Sequence, residues 1–367
     1  MIPSENIQQT FLCLIRAGLW NRMPDDCSYF PLSETEWKEV WNQAVRQSVR
    51  GLLYQGVCLL PEQLLPPQQL IIYWLVDIEQ LEHRNHRMNK ALAELTLGMR
   101  KLGVHPVVLK GQGVAQFYEH PLWRECGDID LYFADVQEER KVVEWVCAQG
   151  GKVRTEPDGA HAYRFRGIEI EHHLRALDLY AGGVQQFLKQ KMQQHGRISM
   201  EIGSEKELCI EVLAPTVNLL SLNAHILKHF MGHGIGLRQF CDLARAYHAL
   251  QSDYKGEELK ACYKRCGIAR WSKVLHAFLV QQLGLPVQDL PYEDAQLPSS
   301  EPLLQRVMED GNFGMYTTER NVTTSSVWRR KLNTAASFLR HLRFSMNYAP
   351  QEAFSLIGKL IFGNIKS

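Results

Sequence analysis

Apolar positions along the first hundred residues recur at helical spacing. Phe11, Leu12, Leu14, Ile15 and Leu19 form one stripe, and Trp37, Val40, Trp41, Ala44 and Val45 form another. Ser33-Glu34-Thr35-Glu36 precedes the second stripe, and a serine followed three residues later by a glutamate is a helix-capping signature. Pro66-Pro67 then opens a long helix, since proline is tolerated in a first turn; it is expected to run to Leu102 and stop at Gly103. Its middle, residues 79–90, is rich in charge and histidine and reads as a solvated face.

From Pro106 the period shortens to that of strands. Strands are expected near residues 106–109, 129–133, 152–154, 163–165 and 168–172, with helices over 112–118 and 136–149. Pro157-Asp158-Gly159 supplies a hairpin turn, and a second strand pair, 199–202 and 208–212, flanks a charged turn. After Pro215 the helical period returns over 216–231, 236–251, 254–266 and 268–283. Residues 285–302 carry four prolines and read as a linker, and a basic amphipathic segment runs from Trp328 to Arg343. The pattern predicts an α+β fold: a core of strands and helices over residues 80–213, flanked by an N-terminal helical region (1–79) and a C-terminal helical domain (214–367).

Within the strand region one stretch carries candidate chemistry. Val107-Val108-Leu109 runs into Lys110-Gly111-Gln112-Gly113, and Gly127-Asp128-Ile129-Asp130-Leu131 follows after Arg124. Alternate strand side chains share a face, so Asp128 and Asp130 lie side by side and repel unless a proton or cation intervenes. The glycine turn offers backbone N–H groups to phosphate oxygens. Ile168-Glu169-Ile170-Glu171-His172-His173 alternates in the same way, so either glutamate can supply a third acid, with Glu171 the preferred candidate. An all-oxygen site of this kind suits Mg²⁺ (or Mn²⁺) and not zinc.

Composition narrows the field. Basic and acidic residues nearly balance, 41 against 40, and no basic stripe appears, which argues against extended nucleic-acid binding. Nine cysteines without paired spacing fit reduced thiols in a cytoplasmic protein, and neither a signal peptide nor a membrane span is expected.

These residues carry a resemblance. Leu109-Lys110-Gly111, Tyr118, Pro121, Arg124, Gly127-Asp128-Ile129-Asp130 and Glu171-His172-His173 are similar to motifs of the uncharacterised nucleotidyltransferase family of the DNA polymerase β-like superfamily. His225, His229, Gly234-Ile235-Gly236-Leu237-Arg238 and Asp242 resemble its second block, and Asp310-Gly311-Asn312-Phe313-Gly314 a third. The resemblance implies a small mixed β-sheet nucleotidyltransferase core and Mg²⁺-dependent transfer of a nucleoside monophosphate from an NTP, with ATP the expected donor, to an undefined small-molecule or protein acceptor. Asp128, Asp130 and Glu171 would hold the metal; Lys110, Gly111, Gln112 and Arg124 would hold the nucleotide. His173, His225, His229 and Arg238 would face the acceptor. Gln112 stands where the wider superfamily usually has Ser or Gly, which shifts the expected phosphate contacts to Lys110 and Arg124.

Three other readings remain at this point, one of them a transferase that modifies tRNA or RNA ends, which the neutral charge balance disfavours. A catalytically silent nucleotide-binding or interaction module would keep the same fold. His225, His229 and His233 recur every four residues on one helix face, a spacing that can chelate zinc for a hydrolase. No glutamate follows the first of them, and Gly232 and Gly234 interrupt the helix beside His233.

Overall fold

The structure, a computed structural model, describes residues 5–156, 159–177, 179–203, 208–232, 234–292, 296–311 and 342–362. Most of the basic segment from Trp328, the residues Asn312 to Gly314, and His233 lie outside them. The chain forms two compact units: Gln68–Ala176 with Gln194–Asn218, and Met1–Pro67 with Leu177–Gln193 and Leu219–Ser367. One uninterrupted helix fills Gln68–Lys101, at the start of the first of these units.

The helical unit opens with α1 (Glu5–Trp20), α2 (Glu34–Gln47) and α3 (Arg50–Cys58). Ser33 caps α2 as its sequence predicts: its side chain accepts from the Glu36 N–H, and the Glu36 carboxylate accepts from the Ser33 N–H.

In the other unit, α4 (Gln68–Lys101) leads into β1 (Val107–Leu109), the short α5 (Gly111–Ala115), β2 (Asp128–Tyr132) and α6 (Val136–Ala148). Then come β3 (Arg154–Thr155), β4 (His161–Phe165) and β5 (Ile168–His173). The chain then passes through α7 (Val184–His195), which up to Gln193 belongs to the helical unit, and adds β6 (Arg197–Ile202) and β7 (Leu208–Leu213) to the sheet. The seven strands form one mixed sheet in the order β3-β4-β5-β2-β1-β7-β6. β1 runs antiparallel to β2 and parallel to β7, and β2 runs parallel to β5.

One face of the sheet is apolar. Ile129, Leu131 and Phe133 join Ile168, Ile170, Ile210 and Val212 in a core completed by Met88, Leu92, Leu95 and Met99 of α4 and Val142 and Val146 of α6. The two helices pack closely enough that a Cβ at Gly98 would lie 2.6 Å from the Trp145 ring. Burying this face fixes the register, since a one-residue slip would turn Asp128 and Asp130 into the core.

The helical unit also includes α8 (Pro215–Gly232) from Leu219 onward, α9 (Leu237–Leu250), α10 (Gly256–Arg265), α11 (Ala269–Gln281), α12 (Glu301–Asp310) and the helix Pro350–Phe362. Its core holds an uncharged histidine. His276 is fully buried; its Nε2 lies 2.8 Å from the Tyr247 hydroxyl, and its Nδ1 has no partner among the described residues. Burial pushes its pKa down to about 3.

An unfolded histidine binds a proton below about pH 6.5 that the folded one refuses. The stabilisation is therefore complete above that pH and falls as the pH drops toward the folded value. Acidification from pH 7 to 5 is expected to cost the helical unit about 2 kcal/mol from this residue. Urea titrations at the two pH values check it: His276→Gln should flatten the difference by that amount, and an unchanged difference would refute it.

Candidate active site

The acidic residues come together through strand pairing. In the parallel β2–β5 ladder Asp128 pairs with Glu169 and Asp130 with Glu171. Paired residues on neighbouring strands project to one face, so Asp128, Asp130, Glu169, Glu171 and His173 all stand opposite the apolar side of the sheet. The two glutamates differ in their partners. Glu169 binds Arg154 of β3 and lies 3.4 Å from Arg164 Nε of β4, its cross-strand neighbour. Glu171 instead approaches His173 Nε2 at 4.0 Å and forms a group with Asp130 and His173 whose ligand atoms all lie within 4.8 Å of one another.

Asp130 is the centre of this group. Its Oδ1 lies 2.6 Å from His173 Nε2, and its Oδ2 lies 3.3 Å from the Lys110 ammonium. Burial pushes the Asp130 carboxyl up, but the Lys110 charge and the His173 contact outweigh it and hold the group well below the usual carboxylate range. Glu171 moves the other way: burial first, then the negative charges of Asp130 and Asp128, raise it. Asp130 is held ionised beside the Lys110 ammonium, while its companion bears the repulsion.

Lys110 reaches Asp130 from a sharp turn between β1 and α5. Its φ is 51° and that of Gly111 is 42°, a left-handed pair that costs a lysine roughly 1 kcal/mol or more. The turn thus brings the ammonium and the Gly111 backbone to the end of β1, whose Leu109 pairs with Asp130. Gln112 follows Gly111 in α5. It is buried, with its amide nitrogen 3.7 Å from Met88 Sδ. Arg124 is also buried, and its Nη1 meets Cys126 Sγ at 3.0 Å.

Sequence patterns did not single out two supports of this face. Asn85 of α4, within the stretch expected to be solvated, is buried and donates to the carbonyls of Leu122 (2.7 Å) and Arg124 (2.8 Å). Its neighbour Arg84 donates to Gly127 O at 3.1 Å, so α4 holds the loop that feeds β2. Asn85→Ala would remove both of these hydrogen bonds and is expected to destabilise the sheet unit by about 2 kcal/mol. A chemical-denaturation midpoint equal to wild type would show that these bonds carry nothing.

Behind the sheet, Glu139 of α6 is buried and accepts from His161 Nδ1 (2.7 Å) and His172 Nδ1 (2.9 Å). His172 Nε2 lies 3.3 Å from the Tyr163 hydroxyl. The adjacent histidines of β5 therefore divide: His172 belongs to this internal network, and His173 to the acidic face.

The remaining candidates lie in the helical unit. His225 and His229 stack edge to face on α8 with ring centroids 4.3 Å apart, and Arg238 begins α9. Among the described residues they join no group of three metal-ligating side chains, in contrast to Asp130, Glu171 and His173. No helix among those residues is long and apolar enough to cross a membrane.

None of the curated proteins or solved structures compared with the chain matches it significantly. The family model described as uncharacterised nucleotidyltransferase matches residues 33–280, which take in the Lys110–Gly111 turn, both acidic strands and helices α8 and α9. With about two-thirds of its length accounted for in this way, the chain belongs to the uncharacterised nucleotidyltransferase family.

Proposed function

We propose that this protein is a metal-dependent nucleotidyltransferase that moves a nucleoside monophosphate from an NTP, ATP in the first instance, to an acceptor. The observation that carries the reading is the parallel register that sets Glu171 beside Asp130, on the face that also bears Asp128, next to the Lys110–Gly111 turn. Family membership supports nucleotidyl transfer as the general activity.

The donor set fits a divalent cation. Carboxylate oxygens suit Mg²⁺ or Mn²⁺, and a cation there would offset both causes that raise the Glu171 carboxyl, its burial first and then the negative charges of Asp130 and Asp128. Asp128, Asp130 and Glu171 are the residues that would hold it. When bound, such an ion supplies Lewis-acid activation of the attacking oxygen and neutralises charge at the α-phosphate.

The chain's own groups do the rest. The Gly111 backbone, free of a side chain, offers N–H groups for phosphate oxygens. Lys110 supplies a positive charge for the leaving pyrophosphate, exchanging its contact with Asp130 for one with phosphate. Glu169, held by two arginines, stays outside the chemistry and stiffens β5 against β4 and β3. The acceptor oxygen bonds to the α-phosphorus as the bond to the bridging oxygen breaks; the acceptor loses a proton and pyrophosphate leaves.

Pyrophosphate release from each NTP, with Mg²⁺ or Mn²⁺ and a metabolite pool as acceptor, tests the proposal. Release by wild type should vanish in the Asp128→Ala/Asp130→Ala double variant. Equal release from both would remove these aspartates from the mechanism.

A further inference from the structure

His173 occupies a place that hydrogen bonding to one carboxylate does not by itself explain. Its Nε2 lies 2.6 Å from Asp130 Oδ1 and 4.0 Å from Glu171 Oε2, so one ring nitrogen faces both acids. The other oxygen of Asp130 is taken by Lys110, which leaves Oδ1 turned toward the imidazole. His173 follows Glu171 by two residues on β5, and Glu171 pairs with Asp130 on β2, so strand geometry fixes all three on one face.

We propose that His173 is itself a metal ligand, and that with Asp130 and Glu171 it makes the centre prefer Mn²⁺ to Mg²⁺. The inference rests on the reading of the acidic face as a metal centre and names the ion and the further donor. The ligand atoms of all three residues lie within 4.8 Å of one another. Adjacent ligands of an octahedral ion with bonds of ~2.1 Å sit about 3 Å apart, so small side-chain rotations close the set.

Charge and donor type choose the ion. Two carboxylates match a divalent cation and keep the set on the hard, oxygen-rich side, away from the thiolate or multi-histidine sites of softer metals. A neutral imidazole discriminates between the remaining hard ions. Mg²⁺ demands near-ideal oxygen coordination and gives up water reluctantly. First-row transition ions accept nitrogen donors more readily, and Mn²⁺ is the member of that series best suited to carboxylates. The motif offers two histidines, but His172 is buried in the Glu139 network, so the donor is specifically the second.

The test uses metal-free, full-length protein titrated with Mn²⁺ alone and in competition with Mg²⁺. Electron spin echo spectroscopy of the bound Mn²⁺ then reads the donors directly. Wild type should show nitrogen modulation from a coordinated imidazole and bind Mn²⁺ roughly tenfold or more tightly than Mg²⁺. His173→Gln, with unchanged circular dichroism, should lose both the modulation and the preference. Bound Mn²⁺ without nitrogen modulation in wild type would overturn the proposal, and that measurement needs no variant.

The two readings also fail separately. Nitrogen-coordinated Mn²⁺ with no pyrophosphate release from any NTP upholds His173 as a ligand and overturns the transferase. Release with Mg²⁺, and no nitrogen coupling with Mn²⁺, does the reverse. No binding of either ion overturns both.

Discussion

Asp130→Asn is expected to lower the rate of pyrophosphate release by about a thousandfold or more, equivalent to roughly 4 kcal/mol of transition-state stabilisation. The substitution keeps the size and most hydrogen bonding of the side chain, so Oδ1 can still accept from His173 Nε2. What disappears is the negative charge that Lys110 and His173 hold ionised. Stability should change far less, by about 1 kcal/mol or under, because the Lys110 ammonium is partly exposed and can turn to water.

Glu169→Gln is the built-in comparison. It lies on the same face but is engaged by Arg154 and Arg164, and its loss should alter the rate by no more than about threefold while loosening β3 and β4. Steady-state kinetics on Asp130→Asn, Glu171→Gln and Glu169→Gln decide the matter. If Glu169→Gln is as damaging as Glu171→Gln, the assignment of roles along β5 is wrong.

That contrast also shows how far the sequence reaches. The alternation Ile129–Leu131 against Asp128–Asp130, and Ile168–Ile170 against Glu169–Glu171, is a local signal that one buried face imposes. It makes both strands and the acidic face legible. Choosing between the glutamates depends on the β2–β5 register and on arginines five and fifteen residues upstream, neither of which local periodicity encodes. Gln112 illustrates the same limit: the sequence shows its place beside Gly111, but not its burial against Met88. The helix α7 leaves little trace in the sequence, because it buries only Val184 and Leu188 among glutamines and lysines, too thin a stripe to set a helical period. The solvated reading of α4 was too simple, since Leu81, Asn85 and Met88 are buried within its charged middle.

In the helical unit the largest expected loss of stability comes from two glycines that chemistry alone would pass over. A Cβ added at Gly18 of α1 would lie 1.9 Å from the Leu52 carbonyl oxygen, and one at Gly56 of α3 would lie 2.1 Å from the Leu14 carbonyl oxygen. The arrangement is reciprocal. Each glycine faces the carbonyl four residues before the other, so the helices touch backbone to backbone across a contact with no room for a methyl group. The obstacle in each case is a main-chain oxygen inside a helix, which cannot rotate away as a side chain would.

Alanine normally favours a helix over glycine by about 1 kcal/mol. Here separating α1 from α3 should outweigh that gain and leave Gly18→Ala or Gly56→Ala destabilised by about 3 kcal/mol, a melting shift of roughly 6–12 °C. Gly232, at the end of α8, supplies the contrast, since a Cβ there meets nothing within 4 Å. Gly232→Ala should be neutral or stabilising by up to about 1 kcal/mol. Differential scanning calorimetry of the three variants measures both signs. Gly18→Ala melting at or above wild type would mean that α1 and α3 do not meet at this distance.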